Sequence, residues 1–143
     1  MVETNLNRNS PPVTIAIPAY KTEFLAEAIR SALTQTYVNF EVLIVDDRSP
    51  NDVKSIVEKF DDARIRYYRN EKNVGRDDPS RNWQRCLELA QGEYICILCD
   101  DDVYAPEYIQ TMVELVQQYP SCSAFRCGVS EINGKGEIIK YYP

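Results

Sequence analysis

Phe40-Glu-Val-Leu-Ile-Val-Asp-Asp-Arg-Ser49 sets the reading of the whole chain. Val42 to Val45 is apolar without alternation, the pattern of a strand buried on both faces in a helix-covered parallel sheet. Asp46 and Asp47 close the run. Ser49-Pro-Asn-Asp52 then has the ingredients of a helix start: Ser as N-cap, Pro at the first helical position, and an acid three residues after the cap. Val53, Ile56, Val57 and Phe60 supply that helix's buried face.

Outward from this stretch the same alternation recurs in both directions. Upstream, Val13-Thr-Ile-Ala-Ile17 is a β-rich run ending at Pro18, followed by a helical stripe of Phe24, Leu25, Ala28, Ile29, Ala32 and Leu33. Downstream, Arg64-Ile-Arg-Tyr-Tyr68 reads as a third, partly exposed strand, and the polar segment 70–78, containing Gly75, as a loop. Pro79 opens a helix with Asp78 as its cap and Trp83, Cys86, Leu87 and Ala90 on the inner face; Gly92 stops it. Tyr94 to Leu98 is a fourth strand, and Pro106 begins a helix through Ile109, Met112, Val113 and Val116. Residues 123–142 read as two strands joined near Asn133-Gly134. The pattern predicts an α/β chain: a Rossmann-like, open, mostly parallel sheet with helices on both faces. It forms one domain over residues 12–143, after a polar, loosely held tail at 1–11 that lacks the apolar stretch of a signal peptide.

Bulk properties narrow the chemistry. The 143 residues carry a net charge of −6, which argues against an electrostatic grip on nucleic acid. No run of about 18 apolar residues is present to span a bilayer. The sequence contains no histidine, which excludes histidine metal sites and Ser-His or Cys-His catalysis. Five cysteines, an odd number without secretory context, point to reduced thiols in a cytosolic setting. Cys96 and Cys99 fall in a strand-like run, where positions three apart face opposite ways, so packing explains them better than a shared metal.

In open parallel sheets ligands bind beyond the carboxyl ends of the strands. There the sequence places Pro18-Ala-Tyr20, Asp46-Asp47 and Asp100-Asp-Asp102. Carboxylates held together repel, and a hard divalent cation relieves the repulsion while bridging to a phosphorylated ligand. Asp46-Asp47 also suits a turn, so one of the pair has a structural reading. Arg76 and Arg81, near the third loop and the next helix start, are candidates to meet a diphosphate. Trp83, at helical spacing with Cys86 and Leu87, reads as core.

Val13-Thr-Ile-Ala-Ile-Pro-Ala-Tyr20, Ser31-Ala-Leu-Thr-Gln-Thr36, the Phe40–Ser49 stretch, Asn73-Val-Gly75, Ser80-Arg-Asn82, Gly92-Glu-Tyr-Ile95, the acidic run and Pro106-Glu107 occur in this order. The ordered set, covering about residues 12–120, resembles the family 2 glycosyltransferases, an inverting group with the GT-A fold. The resemblance implies a nucleotide-diphospho-sugar donor, a UDP-sugar above others. Pro18, Ala19 and Tyr20 would lie against the base, Asp47 would hydrogen-bond it, and Arg76 or Arg81 would sit near base or diphosphate. The acidic run corresponds to the family's Asp-x-Asp motif. Cys99 stands where the first Asp often is, which makes Asp100 the ribose-side residue and Asp101 the ligand of Mn2+ or Mg2+. Reading Asp100-x-Asp102 as the motif makes Asp102 a ligand instead.

The family's general base comes from later in the chain, so the resemblance places it beyond Pro143 and makes residues 12–143 a donor-binding domain incomplete on its C-terminal side. The acceptor would be a sugar, lipid-linked or other hydroxyl. The unfinished sheet edge could pair with a second copy as a homodimer, and the whole protein would be cytoplasmic, with room for peripheral attachment to a membrane's inner face. Two rivals use the same features: a non-catalytic nucleotide-sugar-binding module, and an acidic-pocket phosphotransfer domain, for which the acids stand on the wrong strands.

Overall fold

A computed structural model describes residues 10–143; the expected tail, apart from Ser10 and Pro11, lies outside the described residues. Ten elements follow in order: β1 (Val13–Ala19), α1 (Leu25–Leu33), β2 (Phe40–Asp46), α2 (Val53–Val57), β3 (Ile65–Arg69), α3 (Ser80–Leu89), β4 (Tyr94–Ile97), α4 (Tyr108–Gln118), β5 (Val129–Ile132) and β6 (Ile138–Tyr142). The first four strands form one sheet of order β3-β2-β1-β4 in which every neighbour pair is parallel. The predicted parallel α/β sheet is thus present. A boundary after Thr111, inside α4, separates this unit from a second one. There β5 and β6 pair antiparallel, joined by a turn in which Asn133 Oδ1 accepts from Lys135 N and Glu137 N.

Period-two alternation explains how both sheet faces are covered. Ala16, Leu43 and Val45 point one way and pack with Cys86 of α3. Ile15, Ile17, Val42 and Ile44 point the other way, and each is fully buried. That second face is the one left for α1, which also packs on β1 and β2 and buries Leu25, Ala28, Ile29 and Ala32. α2 begins three residues later than the Ser-Pro signal suggested. Its cap is Asp52, which accepts from Ser55 N at 3.0 Å. Ser49 is recruited elsewhere: its hydroxyl donates to Tyr20 O at 2.6 Å and accepts from Asn51 N. At the start of α3 the cap position falls on Pro79, which has no side-chain cap bond, and Asp78, expected as the cap, stands one residue before it and accepts from Ser80 N and Ser80 Oγ.

The amino ends of the strands are closed by paired charge. Glu41 on β2 accepts from Thr14 Oγ1 (2.6 Å), Arg66 Nη1 (2.8 Å) and Gln91 N (2.8 Å). Thr14 Oγ1 in turn accepts from Gly92 N at 2.9 Å. Gly92 is pressed onto the central strand so closely that a β-carbon would stand 2.5 Å from Thr14 N and 2.8 Å from Val13 C. Those are backbone atoms in a fixed ladder and cannot yield cheaply. Gly92→Ala is expected to cost about 3 kcal/mol or more, seen as a lower urea midpoint with an unchanged slope.

Asp62 and Arg64, between α2 and β3, form a fork: Nε donates to Oδ1 at 3.0 Å and Nη2 to Oδ2 at 2.7 Å. The guanidinium also lies 4.5 Å over the Phe40 ring. Side-chain hydrogen bonds from Arg64 hold the Asp62 carboxyl down at about 2. The unfolded carboxyl titrates near 4, so the pair's stabilisation is complete above pH about 4 and is lost as pH falls toward 2. Asp62→Asn is expected to destabilise by about 1 kcal/mol at neutral pH, a figure discounted for exposure. In urea titrations the gap from wild type should close across that acid window.

Candidate functional site

Strand order 3-2-1-4 reverses direction between β1 and β4, and the crevice of an open parallel sheet opens beyond the carboxyl ends at such a reversal. A cavity of about 390 Å³ lies there. Pro18, Tyr20 and Lys21 line it from the end of β1, Asp47 from β2, and Cys99, Asp100 and Asp101 from β4. Asn73, Gly75, Arg76, Pro79, Asn82 and Trp83 come from the β3–α3 loop and the start of α3. Of the nucleotide-binding residues inferred from sequence, Pro18, Tyr20, Asp47, Arg76 and Asp100 therefore converge. Ala19 does not line the cavity: its side chain is fully buried, and its carbonyl accepts from Asp47 N at 2.9 Å. Arg81 lines a neighbouring cleft of about 450 Å³, with Lys72, Arg85 and Glu88, and not this one. Asn73 and Arg76 belong to both linings and form the wall between them.

The two acids at the end of β2 divide their work. Asp46 is fully buried and accepts from Ser49 N (2.8 Å), Tyr67 hydroxyl (2.7 Å) and Arg69 Nη1 (2.8 Å). It fixes the turn after β2, where Arg48 takes a φ of 56°. Asp47, also buried, organises the β3–α3 loop. Its Oδ1 accepts from Asn70 Nδ2 (2.8 Å) and Val74 N (2.8 Å), and its Oδ2 from Gly75 N (2.7 Å). Asn70 also donates to Asn82 Oδ1, and Asn82 Nδ2 to Val45 O, so a buried amide chain ties loop, α3 and β2 together. A β-carbon on Gly75 would stand 2.9 Å from Asp47 Oδ2, so a side chain there would have to push the carboxylate off its hydrogen bonds. Asn73 Oδ1, a buried acceptor in the same loop, has no hydrogen-bond partner among the described residues.

The three acids after β4 point to three different places. Asp100, 7% exposed, turns back to β1: its Oδ2 accepts from the N–H groups of Tyr20 and Lys21, each at 2.7 Å. One oxygen thereby clasps the two strand ends that border the crevice. Asp101 is at the rim and takes Lys21 Nζ at 2.9 Å, with both side chains substantially exposed. That contact holds the Lys21 ammonium above its ordinary range. Asp102 is exposed and does not line the cavity. Although the residue as a whole is exposed, desolvation of the carboxyl by nearby atoms first, then the charge of Asp101, hold it above the ordinary range.

Gln35 holds the loop that carries these acids from downstream. Its Nε2 donates to Ser31 O and Ala105 O, and its Oε1 accepts from Ile109 N. Tyr104 adds a hydroxyl bond to Ile97 O and stacks on Tyr108 with ring centres 4.0 Å apart. The cysteines are all free. Burial pushes the Cys96 thiol up to about 12; burial followed by the three neighbouring acids pushes Cys99 up to about 11. Neither is poised as a thiolate.

The profile described as "Glycosyl transferase family 2" matches residues 14–138. The chain belongs to glycosyl transferase family 2. In Escherichia coli the putative colanic acid biosynthesis glycosyl transferase WcaA is 37% identical to this family member over 114 residues, 78% of this chain and 40% of WcaA. The crystal structure of S. aureus TarS 1–349 is 25% identical with a TM-score of 0.69, covering 76% of this chain and 33% of that one; TarS has also been solved in complex with UDP-GlcNAc. A mannosyltransferase from Pyrobaculum calidifontis, solved in complex with GDP-Man and Mn2+, shares the fold with a TM-score of 0.63 at 23% identity. These structures confirm the GT-A fold expected from the motifs. The chain spans about a fifth to two-fifths of the length of the curated relatives it matches.

Sequence reasoning missed two residues that line this cavity in the family 2 chain. Trp83, read as core, is 43% exposed and lines the cavity. Lys21 carried no motif signal, yet its ammonium is the group that Asp101 holds.

Proposed function

We propose that this chain is the donor-binding part of a metal-dependent inverting glycosyltransferase that takes a nucleotide-diphospho-sugar, preferentially a UDP-sugar. The observation that carries this reading is one cavity that gathers Asp47 from the end of β2 and Asp100 and Asp101 from the end of β4 beside the exposed Tyr20 at the end of β1. TarS with UDP-GlcNAc supports a uridine donor, and the name of WcaA supports a polysaccharide product.

Each carboxylate has capacity left for a ligand. Asp47 uses three acceptor positions on the β3–α3 loop, and Oδ2 retains one lone pair for a single imino donor, as uracil presents. Asp100 spends Oδ2 on two backbone donors, leaving Oδ1 toward a ribose hydroxyl. Asp101 fits a cation, since in this structure it already holds one, the ammonium of Lys21. No group of three potential metal-ligating side chains occurs among the described residues. Mg2+ or Mn2+ suits such a sparse oxygen set, because these ions are commonly held by one or two carboxylates together with substrate phosphates and water. Asp101 would hold it, with Asp102 the neighbouring alternative, and when bound it would neutralise charge on the departing nucleoside diphosphate. The acceptor, a sugar, lipid-linked or other hydroxyl, and the general base belong to the remainder of such an enzyme. No described helix is long and apolar enough to cross a membrane.

Calorimetric titration with UDP tests the reading. Binding with Mn2+ present, lost on adding EDTA, is the expected result. A folded sample giving no heat with UDP, GDP, CDP or dTDP would overturn it.

A further inference from the structure

Trp83 sits where core packing does not explain it. The buried residues of α3 are Asn82 and Cys86, four apart on one stripe. Trp83 follows Asn82 by one residue and so lies about 100° round the helix, off that stripe. Its indole stays 43% exposed, a poor use of the largest apolar side chain unless something flat covers it.

Its surroundings say what would cover it. The backbone at this point is rigid: Trp83 N donates to Pro79 O, and the preceding Asn82 is bonded through Asn70 to Asp47. Trp83 therefore shares a fixed frame with the buried carboxylate of Asp47, and both line the cavity. Tyr20, 44% exposed, lines the same cavity from the end of β1.

We propose that Trp83 is the stacking platform for the donor's nucleobase, placing the ring so that Asp47 meets its edge. This rests on reading the cavity as a nucleoside-diphosphate site. It adds a residue that recognises the base by its face, with no demand on the hydrogen-bonding pattern, to one that recognises it by its edge. Stacking sets how tightly the base is held; the carboxylate sets which base is preferred.

Trp83 is the only tryptophan in the chain, so its emission reports on its own surroundings. With Mn2+ present, UDP should change that emission saturably, with the same midpoint as the calorimetric isotherm. Trp83→Ala should weaken UDP roughly tenfold, equal to about 1.4 kcal/mol. It should leave Mn2+-pyrophosphate, which lacks a base, unaffected, and Trp83→Phe should restore most of the loss. UDP binding by calorimetry with unchanged emission, or an equal loss for UDP and pyrophosphate, would overturn the platform and leave the donor-site reading standing. Absence of any nucleotide heat in the wild type would overturn both.

Discussion

Asp47→Ala should abolish measurable UDP binding and also lower the stability of the fold by about 2–4 kcal/mol. The size follows from what the carboxylate does. It is the common acceptor for Asn70 Nδ2, Val74 N and Gly75 N, and removing it leaves three donors at a nearly dry position. Each buried donor left without a partner costs about 1–3 kcal/mol, and the half-buried Val74 and Gly75 reach water more easily than Asn70, which holds the sum below a simple total. Asp47→Asn should recover little, since its amide nitrogen would face donors. Urea unfolding and calorimetry on the same samples check both halves. A variant that unfolds like wild type would show that the loop is held by other contacts.

Asp101→Ala should behave in the opposite way. The side chain is 42% exposed, and its pair with Lys21 is an exposed one of the kind worth about 0–1 kcal/mol, so the thermal midpoint should hardly move. Metal dependence should vanish: UDP should bind the variant weakly and equally with Mn2+ and with EDTA. Asp102→Ala run in parallel decides between the two readings of the acidic run. If Asp102→Ala removes the metal response and Asp101→Ala keeps it, the ligand is Asp102.

What could be read from sequence, and what could not, divides along physical lines. The parallel sheet was legible because Val42 to Val45 and Ile15 to Ile17 must be apolar to lie between two helical layers, and burial on both faces leaves no alternation. The convergence of Asp47 and Asp100 on one cavity was legible because the carboxyl ends of neighbouring parallel strands open on one crevice. Trp83 was misread because helical spacing alone cannot tell position 83 from the stripe of 82 and 86. Here a polar residue, Asn82, takes the inward position to serve the amide chain, and the indole is displaced outward. Ser49 was misread because its capping chemistry is real, but the Tyr20 carbonyl competes for the hydroxyl and Asp52 takes over the cap. Ala19 and Arg81 were carried by resemblance to a neighbourhood, and a neighbourhood does not fix which side chain turns inward.

The clasp between Asp100 and the turn after β1 bears on how phosphate can be recognised on this sheet. In dinucleotide-binding relatives of the architecture, the amides following the first strand form a small anion receptor and cradle the pyrophosphate directly. Here the two consecutive amides of that turn are already filled by an internal anion at 2.7 Å. The chain also lacks the glycine fingerprint that would let a phosphate approach the backbone. The usual receptor is self-occupied, so on the proposed reading a diphosphate would find its counter-charge in a bound cation and long basic side chains. A backbone amide cannot be removed by a change of buffer, but a cation can. If the proposed donor site is right, a sheet that has given its first turn to a carboxylate would place its hold on phosphate under the control of ions in solution.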